Sequence, residues 1–323
     1  MARSGNTGRE VKRAYKEPMG RHFIKYRQLY AMLFLPVVYF VLFKYVPMFG
    51  NILAFRRYRP GMSPFGVSWA EPVTRYFQLF MRDRAFWQAF QNTLVLSLTN
   101  LVINFPIPII FAVLLNEVRS LRFKKLVQTV SYMPRFISTV VVVAIMGELL
   151  SPSSGIINLF LKNTFGMQPI YFMNEPQYFR FLYVFSDTWQ FTGWTAIIYL
   201  AAITGINSDL FEAATIDGAN RLQQIIYVTI PSILPTIMVM LILNVGRLLS
   251  LGFEKVLLMY TPSNSGVSDI LDTLVYRTGL GGLTGQNNYS YATAIGLFSG
   301  VIGVVLVVSA NAMSRRLTGD SIY

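Results

Sequence analysis

The chain offers few side chains able to do covalent or metal chemistry: of its 323 residues 15 are acidic, one is histidine (His22) and none is cysteine. The lack of cysteine excludes a disulfide framework, thiol catalysis and cysteine-held zinc or iron–sulfur centres, and a single histidine leaves no imidazole cluster for a metal. Four ionisable residues invite a chemical reading because they fall within apolar stretches: Arg135, Glu148, Asp187 and Arg247. An ionised group in hydrocarbon costs roughly 2.5–3.5 kcal/mol on insertion scales, so these groups are expected to face protein or water. Glu148 and Asp187 could serve as acid and base on a lipid-linked sugar. Two carboxylates from different segments, with no nucleophile or metal cluster beside them, are weak support for an enzyme, and no catalytic or metal-binding residue is assigned. The alternative is a solute pathway. Arg247 and Asp187, with Asn244, Trp189 and Gln190, would line a vestibule in which a sugar stacks and hydrogen-bonds. A purely structural Asp187–Arg247 ion pair competes with that reading. Arg135, next to Pro134, is either a gate or a donor to backbone carbonyls that the proline leaves unbonded.

A second group of residues suits docking rather than catalysis. Residues 207–220 read Asn-Ser-Asp-Leu-Phe-Glu-Ala-Ala-Thr-Ile-Asp-Gly-Ala-Asn, and Ile230-Pro231 follows. Asp209 is expected to cap a short helix, with Glu212 reaching back in a capping box and complementing the helix dipole. Ala213 and Ala214 favour helix and leave a nearly smooth surface that another protein's groove can approach closely. Gly218 permits a sharp turn that a β-carbon resists, between Asp217 and Ala219. A second short helix over about 219–228 would lead to Pro231 at the start of an apolar run, where its missing N–H does little harm. From local physics alone, a generic helix–turn–helix connector is equally open.

These residues must be positioned by membrane helices. Apolar residues make up 53% of the chain and charged ones only 13%, against about a quarter charged in ordinary soluble domains. Runs at 29–50, 88–115, 127–150, 180–204, 230–252 and 290–312 are each long enough to span. The fold class expected is therefore an all-α polytopic membrane protein of about six transmembrane helices. Prolines 36, 106, 108, 134 and 235 fall within the spans, where bends are tolerated. The net charge of +13 sets orientation here rather than implying a nucleic acid, because basic residues collect on the cytoplasmic side. Eight basic residues precede residue 29, too polar and long a lead for a cleaved signal. With Arg119, Arg122, Lys124, Lys125, Arg221, Arg315 and Arg316 they give fifteen on one side against nine on the other, favouring both termini inside. By helix rise, Arg135 lies about 15 Å into the third span, Asp187 about 10 Å from the outer end of the fourth, and Arg247 about 25 Å along the fifth. The segment 49–87 is unusually basic, with Arg56, Arg57, Arg59, Arg75, Arg82 and Arg84. Ordinary interfacial solvation and a surface for an acidic partner or solute both fit it. There is no short-period repeat or low-complexity linker.

The pattern Glu212-Ala213-Ala214, Asp217-Gly218-Ala219 and Ile230-Pro231 resembles the signature loop of the membrane subunits of bacterial ABC importers. The resemblance runs from about residue 28 to 315. Gln91-Asn92-Thr93-Leu94 looks like the start of that family's membrane domain, while residues 131–138 and Gly155-Ile156-Ile157-Asn158 look like the branch importing oligosaccharides and acidic sugar polymers such as alginate. It implies an importer-type ABC transmembrane domain, non-enzymatic, in the bacterial inner membrane. The divisions implied are a basic cytoplasmic tail (1–28), a first span with its extracytoplasmic loop (29–87), a core (88–315) containing the coupling loop 207–231, and a short tail (316–323). The implied partners are a second homologous membrane subunit, two ATP-binding subunits, an extracytoplasmic solute-binding protein, the saccharide and membrane lipid. No Gly-x-x-x-x-Gly-Lys-Ser/Thr loop is present, so ATP and Mg are expected on the partner ATPase and no cofactor on this chain. A self-contained secondary transporter or channel, using the buried charges to relay ions, is the rival account; it would not need the 212–218 loop.

Overall fold

The computed structural model describes residues 25–63, 65–281 and 287–318. Most of the 1–28 tail and the 316–323 tail lie outside the described residues. The chain divides into two units at Ile52/Leu53. Described by itself, the first is helix α1, which continues to Phe55 (Arg27–Phe55, 29 residues) and is apolar enough to cross a membrane. It contains Pro36 and widens into a π turn at Val41–Tyr45, two residues before Pro47. Proline lacks the N–H of a helical bond and its ring crowds the preceding turn, and the wider turn absorbs that misfit.

The second unit begins with the short amphipathic helix α2 (Arg75–Arg82). Asp83 then caps α3 (Arg84–Glu117, 34 residues), its carboxylate accepting from the Ala85 amide at 2.9 Å. Next come α4 (Leu121–Phe136), α5 (Thr139–Leu149) and α6 (Ile156–Phe165). Helix α7 (Pro176–Thr204) is followed by α8 (Ser208–Ile216), and α9 (Arg221–Gly246) by the short helices α10 (Phe253–Met259), α11 (Ser265–Ser268) and α12 (Leu271–Gly279). Helix α13 (Tyr289–Thr318) closes the chain. By length and composition four helices can cross a membrane, or up to six spans if two bent helix pairs each count as one. The protein is an all-α polytopic membrane protein, as the sequence led us to expect.

One expected span is not a straight rod. The run at 127–150 is bent by 100° between α4 and α5. Pro134 sits in a 3₁₀ turn over Met133–Phe136, Ile137 and Ser138 are extended, and the Ser138 hydroxyl starts α5 by accepting from the Val141 amide at 3.4 Å. Arg135 therefore stands at a corner, not midway along a continuous helix.

Helices α3 and α7 run side by side and carry buried side chains at both ends. Toward the Glu117 end of α3, Ala112 and Leu115 pack with Ala196, Tyr199, Leu200, Ile203 and Ile233 of α7 and α9. Toward the opposite end, Leu96, Phe179, Leu182 and Tyr183 pack with Val143 of α5 and Val256 and Met259 of α10. Lipid tails are as apolar as these side chains, so close fit rather than hydrophobic transfer holds such contacts. Gly193 illustrates the fit, since a β-carbon there would overlap the Ser131 carbonyl of α4.

Candidate functional site

Two regions carry the residues singled out by the sequence. The first is the bent loop at the end of α7. Helix α8 turns 70° from α7 and presents Glu212, Ala213, Thr215, Ile216, Asp217 and Gly218 to the surface. Its cap differs from the expected one: Asn207, not Asp209, is the N-cap, accepting from the Asp209 amide at 3.1 Å, while its own amide donates to the Asp209 carboxylate at 3.1 Å. Asp209 still complements the dipole from the first turn, but the capping box lies one turn of chain later, where Asn220 and Gln223 bond reciprocally at 2.7 and 2.9 Å. Helix α8 ends in a Schellman arrangement, with Gly218 N donating to Thr215 O at 3.0 Å and Ala219 N to Ala214 O at 2.9 Å. Gly218 has φ +81°, the left-handed conformation that glycine adopts without strain. The separate second helix is also corrected: the chain runs helically from Arg221 through a π turn at Ile225–Thr229 into Ile230–Gly246. Pro231 sits in the first turn after the π turn, repeating the device seen before Pro47.

Gln224, which the sequence did not single out, pins this loop. It is buried, and its amide donates to the Thr215 hydroxyl at 3.0 Å and the Ala219 carbonyl at 3.3 Å. Beside it, Arg221 approaches Glu117 of α3 at 4.0 Å. Asn116, Glu117, Arg119, Phe211, Glu212 and Arg221 contribute to a groove of about 840 Å³ along α8.

The second region is a polar cluster between α3, α7 and α10. Asp187 pairs with Lys255 of α10 at 3.1 Å, and the two side chains are 19% and 4% exposed. Asn100 and Asn104 of α3 donate to the other carboxylate oxygen at 3.2 and 3.4 Å. The Thr188 hydroxyl bonds Asn104, which in turn donates to Asn100 at 2.6 Å. The Lys255 ammonium lies 5.6 Å from the ring centres of Tyr183 and Phe191, and the Arg135 guanidinium lies 5.0 Å from Phe191. Lys255 and Asp187 are the enclosed charges of this centre, and the exposed Arg135 reaches the Phe191 ring at its edge. The centre contains no nucleophile–base arrangement; what it can do is hold charge in a low-dielectric setting where full pairing matters.

Several expectations about these side chains need correction. Arg247 is not the partner of Asp187: it is exposed at the C-cap of α9, and no ion pair to it occurs among the described residues. Gln190 does not line an open vestibule, because it is 2% exposed and donates to the Ile137 carbonyl at the α4–α5 corner at 2.9 Å. Asn244 is exposed and bonds back to the Met240 carbonyl at 2.8 Å. Trp189 borders a largely apolar groove of about 540 Å³ with Ile107, Phe111, Val130 and Pro134. Lys255 is not among the residues singled out by the sequence; a lysine followed by Val-Leu-Leu-Met is the available hint that it is buried. Asn100 and Asn104, one helical turn apart in an apolar run, were the hint for the rest.

Residues 104–319 match the family described as binding-protein-dependent transport system inner membrane component. The chain is 43% identical over 300 residues, 93% of its length and 91% of the relative's, to the polygalacturonan/rhamnogalacturonan transport system permease protein YteP of Bacillus subtilis (strain 168). It is 38% identical over 295 residues, 91% of each chain, to protein LplB of the same organism. The crystal structure of a bacterial ABC transporter involved in the import of the acidic polysaccharide alginate superposes on it with a TM-score of 0.83 and 39% identity, covering 94% of this chain and 100% of that one. A crystal structure of a bacterial alginate ABC transporter in complex with an alginate pentasaccharide-bound periplasmic protein gives 0.84 and 38%, covering 95% and 100%. With two thirds of its length matched by the family and 94% of it covered by the superposed importer structure, this chain belongs to the binding-protein-dependent transport system inner membrane components, as a permease subunit of a bacterial sugar ABC importer.

Proposed function

We propose that this permease carries an acidic oligosaccharide, of which alginate fragments are one example, and that it couples to a separate ATPase through residues 207–231. The observation that carries the coupling half is α8 itself: a capped helix bent away from α7, with Glu212 and Ala213 exposed and a glycine turn behind it. Helices that pack only within their own chain bury a face, yet α8 contains no buried residue, which suits a surface reserved for another protein. Asp209, Glu212, Ala213, Ala214, Asp217, Gly218, Ala219 and Pro231 form this loop in our reading. Both termini and α8 lie on the cytoplasmic side of the inner membrane, and ATP and Mg are bound by two copies of the partner ATPase. A homologous second membrane subunit completes the pathway, and a solute-binding protein delivers from outside. The acidic solute is supported by relatives named for polygalacturonan and alginate transport and by the surplus of cations around Phe191. Asp187 is the pathway residue we retain at the centre, and Arg135, Arg247, Asn244 and Trp189 are exposed.

The test is capture of the ATP-binding subunit in detergent by the wild type and by Glu212→Lys with Ala214→Trp. Capture by the wild type and its loss from a folded variant is the expected result. Equal capture by both, or by neither, refutes coupling through α8.

A further inference from the structure

Seven residues before Asp187, and therefore on the same face of α7 and about 10 Å nearer its Pro176 end, lies a guanidinium with no carboxylate partner. Arg180 forms no ion pair among the described residues; its one bond is a long one, 3.4 Å, from Nη2 to the Asn92 side-chain oxygen. Its Nε is buried and has no hydrogen-bond partner. Asn92, 5% exposed, cannot turn to improve that contact. Its Nδ2 donates to the carbonyls of Gly266 and Asp269, both at 3.0 Å, which fixes its oxygen toward Arg180. Next in the chain of contacts is Arg277 of α12, which is bonded to the Asp269 carboxylate and, at 3.2 Å, to the Tyr260 hydroxyl. The Arg277 Nε is likewise buried without a partner. Two guanidinium groups and one carboxylate leave a surplus positive charge held by α3, α7 and the α10–α12 segment.

A half-buried guanidinium that is paired only to a neutral amide retains several donors in a fixed planar fork, a geometry that matches a carboxylate bidentately. Phe191, eleven residues beyond Arg180, continues the same face past Asp187, so a solute leaving Arg180 would next meet the Asp187–Lys255 centre. We propose that Arg180, oriented by Asn92 and supported by the Asp269–Arg277 pair, is a binding site for one carboxylate of an acidic saccharide at the Pro176 end of α7. This site rests on the acidic-solute reading above and gives that reading a residue. Arg277 contributes field rather than contact, since Asp269 already occupies its fork.

The experiment uses the assembled importer in proteoliposomes, with its solute-binding protein, and compares uptake of a uronate tetrasaccharide with that of its methyl ester. Arg180→Gln should raise the half-saturating concentration for the acid about tenfold, the lower end of what one charge-assisted pair contributes, and should shift that for the ester by much less. Arg180→Lys, which keeps the charge but not the planar fork, should restore only part of the loss. An equal fall for acid and ester, or no fall for either, overturns the site, as does failure of the complex to assemble with both Arg180→Gln and Arg180→Lys. A wild type that takes up acid and ester equally well refutes the acidic-solute reading, and the site falls with it. A wild-type preference for the acid that survives in Arg180→Gln overturns the site alone.

Discussion

Replacing Lys255 with methionine isolates the energetic role of the polar centre. The substitution keeps an unbranched side chain in a position 4% exposed, so packing changes little, but it leaves the Asp187 carboxylate without its cation. Removing one partner of a buried pair costs about 3–5 kcal/mol. Asp187 keeps its bonds from Asn100 and Asn104 and its side chain is 19% exposed, so the lower end, about 3 kcal/mol, is expected. For a chain of this size, about 2 °C per kcal/mol translates that into a melting point lower by about 6 °C. Adding Asp187→Asn removes the stranded charge while preserving an acceptor and a similar shape, and the double variant should return to within about 1 kcal/mol of wild type. The assay is thermal unfolding of the detergent-purified complex, followed by tryptophan fluorescence, over the full cycle of two single variants and the double. Recovery in the double variant cannot come from lost packing, because packing is lost in both. An unchanged melting point for Lys255→Met, or a double variant as labile as Lys255→Met, would refute the claim that Asp187 depends on Lys255.

Three further outcomes are expected. Gly218→Val meets open space rather than a clash, so its cost of about 1–2 kcal/mol arises from the left-handed backbone; solute moved per ATP hydrolysed should fall in proteoliposomes, while Gly218→Asn, tolerated at such positions, retains more of it. Gln224→Leu removes two bonds that pin α8, worth about 1 kcal/mol with acceptors that water can reach, and amide hydrogen exchange at residues 213–219 should quicken accordingly. Burial pushes the carboxyl of Asp272, in α12 outside the spans, from 3.8 up to about 6. The folded protein then holds that proton more tightly than the unfolded chain, so the contribution is fully present below 3.8 and lost as pH rises through about 6. Asp272→Asn should flatten the decline in melting temperature over that window, and an unaltered slope would show that this carboxyl does not set it.

The loop was legible because its physics is local. A run of helix-favouring alanines, a glycine required by a left-handed turn and a proline at a helix start can each be read within a few residues, and Gly218 and Pro231 stand where such reading places them. Even there, the cap moved from Asp209 to Asn207. Asn, Ser and Asp in succession all cap well, so composition alone does not choose among them. The third span failed for a related reason. Hydropathy over 127–150 is continuous, but it does not register that Ile137 and Ser138 are extended or that the carbonyl of Ile137 is taken up by Gln190.

The partner of Asp187 was hidden by topology. Charge position along a span predicts which groups need a counter-ion, and that requirement held: Asp187 is paired and hydrogen-bonded on both carboxylate oxygens. Which cation answers it depends on where the chain goes after α9, and that is not a helical question. Between Gly246 and Phe253 the backbone leaves the helix, and the Leu248 carbonyl is taken up by the Ser97 hydroxyl of α3. Non-helical backbone at membrane depth is tolerated only where protein or water bonds its polar groups; here α3 supplies the bond, which brings the chain back and lets α10 set Lys255 against Asp187. Arg247 lies at the point where the helix stops and so is left exposed, whereas Lys255, eight residues later, takes the buried position. A sequence reading that extends the fifth span to residue 252 must assign the charge to Arg247, because a straight helix would carry Lys255 out of the bundle. The exchange of one cation for another is thus the direct consequence of the helix ending about one and two-thirds turns early.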